Sequence, residues 1–235
     1  MKAMVFAAGL GTRLRPLTDR APKALIEVGG VPMLGLVLRR LAAAGVTEAV
    51  VNAHHFHEKI ADYLSAGGFG LKTRLSLEEE RPLETGGGLK KAAPFFSCGE
   101  PFFAYNSDVW SETNLKALYS AHLSSGALAT LVVRDRPSRR RLLFDGKLRL
   151  VGREGDAVAS GGRALAFSGV QVISPEIFAE MTEEGVFSVT DVYLRLAASG
   201  RKINGFIDES PFWSDVGDLE RLEAVRLRAA AGEGR

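Results

Sequence analysis

At 235 residues, 46% of them apolar and 25% charged, the chain has the make-up of an ordinary globular protein able to bury a sizeable core. A net charge of +2 argues against nucleic acid or an acidic membrane surface as a partner, and no apolar run is long enough to span a bilayer. One cysteine, Cys98, excludes an internal disulfide framework; with no signal-peptide pattern at the start, it points to the cytoplasm.

The first half alternates strand and helix. MKAMVF reads as a buried strand from residue 1. Met33 to Ala44 carries Leu34, Val37, Leu38 and Leu41 at helical spacing and stops at Gly45. Glu48 to Ala53 is a second strand, Phe56 to Leu64 a helix, and Leu71 to Leu77 a third strand. Gly88 to Phe95 is predicted helical, Pro101 to Asp108 a strand, Leu115 to Ser124 a helix, and Ala127 to Val133 a strand. This alternation predicts right-handed crossovers and a largely parallel sheet, with ligands beyond the carboxyl ends of its strands. After Arg134 the pattern becomes charged and turn-rich, with a hairpin expected around Asp145-Gly146. Ala164 to Ser174 and Lys202 to Ile207 read as strands, Thr190 to Ala198 as a helix with Thr190 as its cap. Phe212 to Val216 is short and extended, and Asp218 to Ala231 is a terminal helix fraying at its end. One domain is expected: a first half over about 1–134, a lobe over about 135–217, and a helix over 218–231.

The most informative stretch follows the first strand. Gly9 and Gly11 form a turn of little bulk, so the N–H groups around Ala8, Gly9, Leu10, Gly11 and Thr12 can approach an anion. Arg13, Arg15 and Lys23 follow in a loop held by Pro16 and Pro22. Strand, glycine turn and convergent cations describe a polyphosphate site. A dinucleotide fingerprint fails because Leu14 stands where a third glycine belongs, and no Walker sequence is present.

The string G-x-G-T-R-x-R-P-x-T followed by Pro22-Lys23 resembles the signature of the sugar-1-phosphate nucleotidylyltransferases. The resemblance continues through PLETGGG (Pro82 to Gly88), Asn106-Ser107-Asp108, FSG (Phe167 to Gly169) and W-x-D-V-G at Trp213 to Gly217. It implies an α/β, Rossmann-like three-layer fold of the GT-A-like kind, with a mixed, mainly parallel central sheet. Within the family the chain looks most like the bacterial N-acetylmuramate-1-phosphate uridylyltransferases of cell-wall recycling. Mannose-1-phosphate guanylyltransferases and glucose-1-phosphate thymidylyl- and uridylyltransferases share the core motifs. The length leaves no room for the left-handed β-helix of some relatives, so a catalytic domain alone is expected, as monomer or homodimer.

The resemblance also implies roles. Nucleoside triphosphate and sugar-1-phosphate are the expected partners. Arg13 is assigned to the β- and γ-phosphates, and Lys23 to the α-phosphate or the sugar phosphate. Glu84 and the backbone at Thr85, Gly86 and Gly87 are assigned to the base, because successive glycines suit a backbone lying against a flat ring. Asn106, Ser168 and Gly169 are assigned to the sugar. Asp108 and Asp215 are the expected ligands of Mg²⁺, a hard cation that prefers oxygen. Ser107 departs from the glycine usual before this aspartate. Arg139, Arg140 and Arg141 read as a solvated charge run, with a sugar phosphate or carboxylate as the sharper alternative. His54, His55 and His57 match no zinc spacing. A regulatory subunit that binds a nucleotide-sugar without catalysis would be expected to have lost Arg13, Lys23, Asp108 or Asp215, and all four are present.

Overall fold

The computed structural model describes residues 1–97, 99–156 and 162–231. Cys98 and the last residues of the expected fraying segment, 232–235, lie outside them. In chain order the elements are β1 (Lys2–Phe6), β2 (Glu27–Val28), β3 (Val31–Pro32), α1 (Met33–Ala43), β4 (Glu48–Ala53), α2 (His57–Ala66) and β5 (Lys72–Leu77). There follow α3 (Glu84–Lys91), β6 (Phe102–Asn106), β7 (Val109–Ser111), α4 (Leu115–Ser125), β8 (Ala129–Arg134), β9 (Arg141–Phe144) and β10 (Leu150–Arg153). The chain closes with β11 (Arg163–Ile173), α5 (Ile177–Glu180), α6 (Val189–Ala198), β12 (Ile203–Ile207), β13 (Trp213–Asp215) and α7 (Leu219–Ala230). Strands and helices alternate in an α/β, Rossmann-like fold whose sheet is mixed.

Two compact units interleave along the chain: Met1–Pro82 with Tyr105–Glu112 and Ser210–Arg235, and Leu83–Ala104 with Thr113–Glu209.

In the first unit β1 pairs in parallel with β4, and β4 in parallel with β5, in unbroken register from Lys2↔Glu48 to Ala53↔Leu77. The central residues of β1 and nearly all of β4 are buried, which is why both read as continuous apolar runs. Helix α1 buries Met33, Leu34, Val37, Leu38 and Leu41, the stripe its spacing predicts. A side chain at Gly35 would place its Cβ 2.0 Å from the Tyr63 hydroxyl, so with Tyr63 in this position glycine lets the Tyr63 ring of α2 lie against α1. Two short antiparallel ribbons, β2–β3 and β7–β13, complete the unit. Neither β2–β3 nor β7 is visible in the sequence pattern. Both are too short to establish an alternation.

In the second unit β11 pairs antiparallel with β8 and β9, β9 antiparallel with β10, and β12 in parallel with β8. The expected hairpin forms, and Asp145 closes its turn by accepting from the N–H groups of Lys147 and Arg149, both at 2.8 Å. Phe102 stacks on Phe96 and Phe178, with ring centroids 3.8 and 5.8 Å away. Two expectations are corrected here. Helix α3 begins at Glu84, four residues before the expected start, and so contains all three glycines. Helix α6 is capped by Ser188, whose hydroxyl accepts from the Thr190 N–H at 3.2 Å, and Thr190 itself is helical.

Candidate functional site

The glycine turn leaves β1 as a tight, anchored loop. Gly11 has φ +64°, and a Cβ there would lie 2.9 Å from the Thr18 methyl and 3.0 Å from the Lys23 stem. Thr18 Oγ1 donates to the Gly11 carbonyl at 2.9 Å, and Leu14 is wholly buried in a cluster with Ile26, Val28, Met33, Val216, Leu222 and Val225. Arg13 is exposed beside that anchor, as are Gly9, Leu10 and Thr12. The loop therefore presents main chain and a guanidinium to solvent while Leu14 holds it down.

Behind the loop lies a buried polar relay that the sequence reading missed. The Ala7 N–H donates to Asn52 Oδ1 at 2.8 Å, and Asn52 Nδ2 donates to Glu78 Oε1 at 2.6 Å. Asn52 and Glu78 are 2% and 1% exposed, at the end of β4 and just after β5. Their signal was present: an asparagine near the end of the apolar β4 and a glutamate directly after β5. His54 adds a 2.6 Å contact from Nδ1 to the Glu78 carbonyl, so it belongs to this support. Among the described residues no group of three or more His, Cys, Asp or Glu is arranged to hold a metal.

The two candidate aspartates lie on neighbouring backbone segments. Ser107 N–H donates to the Phe6 carbonyl at 3.0 Å, which sets the triplet beside the end of β1. In the β7–β13 ribbon Asp215 stands opposite Val109, and Val216 N–H donates to the Asp108 carbonyl at 2.8 Å. Asp108 Oδ2 accepts from Lys23 Nζ, with both side chains largely buried. Asp215 accepts from Arg221 Nη1 at 2.8 and 2.7 Å, and its Oδ1 also accepts from the Gly217 N–H at 2.8 Å. Hydrogen bonding and the charge of Asp215 raise the pKa of Arg221 further above its ordinary value. A Cβ on Gly217 would lie 2.3 Å from Asp215 Oδ1 and 3.3 Å from Arg13 Nη2, so Arg13, Gly217 and Asp215 are neighbours. One small region thus holds a glycine loop, two carboxylates and the cations Arg13, Lys23 and Arg221.

The profile of a family described as nucleotidyl transferase matches residues 2–141. The chain belongs to the nucleotidyl transferase family. It is 34% identical to N-acetylmuramate alpha-1-phosphate uridylyltransferase of Neisseria meningitidis, over 98% of this chain and 99% of that protein. It is 36% identical to the protein of the same name from Caulobacter vibrioides, over 97% and 96%. Among solved structures it resembles the inositol-1-phosphate CTP transferase from T. maritima, with a TM-score of 0.81 over 99% of this chain and 96% of that one. At 18% identity that is a likeness of fold.

The remaining candidate residues of this nucleotidyl transferase are Asn106 in the first unit and Glu84 to Gly87, Ser168 and Gly169 in the second. Asn106 is half-buried at the end of β6. In the second unit Glu84 is exposed with φ +58°, and Thr85 Oγ1 accepts from the Val189 N–H at 3.1 Å. Gly86 and Gly87 are buried, and both donate to the Phe187 carbonyl, at 2.9 and 3.3 Å. A Cβ at Gly86 would meet the Phe187 ring at 2.3 Å, and one at Gly87 the Gly185 carbonyl at 2.4 Å. Close packing on residues 185–187 is therefore sufficient reason for these glycines. Ser168 is buried, and Gly169 has φ +77° where β11 slips register against β8 between Phe167 and Gln171. Arg141 is held by Asp135 at 3.3 Å, Glu154 at 3.6 Å and the Ala164 carbonyl, whereas Arg139 and Arg140 are exposed.

Proposed function

We propose that this nucleotidyl transferase moves uridine monophosphate from UTP to N-acetylmuramate α-1-phosphate and releases pyrophosphate. Similarity to the two uridylyltransferases over nearly the whole chain supports the substrates. The observation that carries the chemistry is that Asp108 and Asp215 lie on neighbouring backbone segments, Asp108 paired with Lys23 and Asp215 next to Arg13. A phosphate nucleophile is ionised at neutral pH, so no general base is required. The barrier is the repulsion of two anions brought together, and it falls to positioning and fixed positive charge.

Arg13 binds the β- and γ-phosphates and the departing pyrophosphate. Lys23 contacts the α-phosphate or the sugar phosphate, leaving Asp108 to do so. The turn from Ala8 to Thr12 supplies N–H donors. Glu84 and Thr85 read the base; with their N–H groups donated to Phe187, Gly86 and Gly87 contribute carbonyl and Cα surface. Asn106, Ser168 and Gly169 contact the sugar.

Among the described residues no group of three or more His, Cys, Asp or Glu is arranged to hold a metal, and two carboxylates suit Mg²⁺, which keeps waters and takes phosphate oxygens to complete its shell. Asp108 and Asp215 would hold it. When bound, it would neutralise charge developing on the phosphates. The enzyme acts in the cytoplasm as monomer or homodimer; among the described residues no helix is long and apolar enough to cross a membrane.

The test is pyrophosphate release with Mg²⁺, crossing UTP, dTTP, GTP and CTP with muramyl, glucosaminyl, glucosyl and mannosyl 1-phosphates. Release confined to UTP with N-acetylmuramate 1-phosphate is expected. Release with GTP and mannose 1-phosphate would keep the reaction and change the substrates. Nucleotide binding without release from any pair would overturn the proposal in favour of a sensor.

A further inference from the structure

We infer that Arg221 is a counter-ion latch on Asp215, which a divalent cation must open before it can bind; the inference rests on the metal role given to Asp215 above. Arg221 Nη1 reaches both carboxylate oxygens, at 2.8 and 2.7 Å, and so covers the edge that a metal would use. The latch is mounted on α7. Asp218 caps that helix by accepting from the Arg221 N–H at 3.0 Å, and its other oxygen lies 3.5 Å from Arg221 Nε. The guanidinium is thus aimed at Asp215 from a fixed backbone.

Charge decides what can open it. Around the aspartates stand Arg13, Lys23 and Arg221, three positive charges against the three negative charges of Asp108, Asp215 and Asp218. A bare divalent cation would leave this neutral cluster positive by two. A cation arriving with a triphosphate brings a net negative charge, which offers Arg221 and Lys23 new partners as they leave the carboxylates. Arg221 is 46% exposed, so it can turn into solvent with little desolvation, and an ion pair this exposed adds little stability. The latch is weak enough to open and charged enough to discriminate. Metal and nucleotide affinity are therefore coupled through Arg221, and by linkage the coupling is reciprocal.

The experiment is Mn²⁺ binding followed by the electron paramagnetic resonance of the free ion, with and without UTP and in the absence of sugar phosphate. Wild type is compared with Arg221→Gln, Arg221→Lys and Asp215→Asn. Wild type is expected to bind Mn²⁺ weakly alone and far more tightly with UTP. Arg221→Gln should bind Mn²⁺ alone about tenfold more tightly, the scale of a unit charge repelling a divalent cation at short range in a water-like dielectric. Arg221→Lys should fall between, and Asp215→Asn should lose affinity under both conditions. Arg221 is exposed and the Asp218 cap remains in each variant, so far-UV circular dichroism should be unchanged. If Arg221→Gln matches wild type while Asp215→Asn is impaired, the latch is wrong and the metal assignment stands. If Asp215→Asn binds Mn²⁺ with UTP as wild type does, the metal assignment fails and the latch with it.

Discussion

The main-chain N–H of Val216 donates to the carbonyl oxygen of Asp108 at 2.8 Å, joining two segments more than a hundred residues apart. That bond, together with the pairing of Asp215 opposite Val109, brings the backbones of Asp108 and Asp215 together. Replacing Asp108 with Asn keeps the shape and removes the charge. Turnover should fall by at least about a hundredfold, as for other groups that stabilise developing charge, with the fold retained. Lys23→Ala should do the same, having also removed the partner of Asp108. Pyrophosphate release beside circular dichroism checks both, and wild-type turnover in either variant would remove that residue from the mechanism.

Gly217→Ala tests how closely Asp215 must be held. The added methyl would overlap Asp215 Oδ1 at 2.3 Å, against a backbone pinned by the bond from Val216. The carboxylate would have to swing away, so kcat/KM should fall by an order of magnitude or more while thermal stability changes little. Unchanged kinetics would mean that the position of Asp215 is not critical.

At Gly86 two effects oppose each other. Alanine is favoured over glycine in a helix by about 1 kcal/mol. The Cβ would press into the Phe187 ring at 2.3 Å and its carbonyl at 2.7 Å, and overpacking of that kind costs about 1–3 kcal/mol. Because a backbone atom is among those struck, overpacking should win and Gly86→Ala should destabilise. Urea denaturation measures the sign directly; a stabilised variant would show that residues 185–187 yield easily.

Asn52→Leu should loosen the glycine loop from behind. It takes the acceptor from the Ala7 N–H and a donor from buried Glu78, a change expected to cost about 1–3 kcal/mol. Nucleotide affinity should fall along with stability, because the loop begins at Ala7. Calorimetric titration with UTP checks this, and unchanged affinity would confine Asn52 to a role in folding.

His122 confers a pH dependence on stability. It is buried between Thr130 and Ser174, with both ring nitrogens 2.9 Å from a hydroxyl, and burial lowers its pKa from 6.5 to about 4. Between those values the unfolded chain binds a proton that the folded chain refuses. Stability should therefore fall as the pH drops from 6.5 towards 4, by up to about 3 kcal/mol from this group. Urea midpoints at pH 7 and pH 5 measure the slope, and His122→Gln should flatten it. An equal slope in that variant would assign the effect to other groups.

Much of the molecule can be read from the chain alone because it is written in local pattern. Apolar runs define β1 and β4, helical spacing defines α1, and the string from Gly9 to Lys23 declares an anion site through its own residues. What the sequence could not decide is which distant groups neutralise one another. The pairing of Asp215 with Arg221, the relay from Asn52 to Glu78 and the hold of Phe187 on Gly86 all join residues that carry no mark of a partner. A carboxylate reads the same in sequence whether it faces water, a metal or a guanidinium. Only the fold, by fixing which side chains share a desolvated space, selects among them.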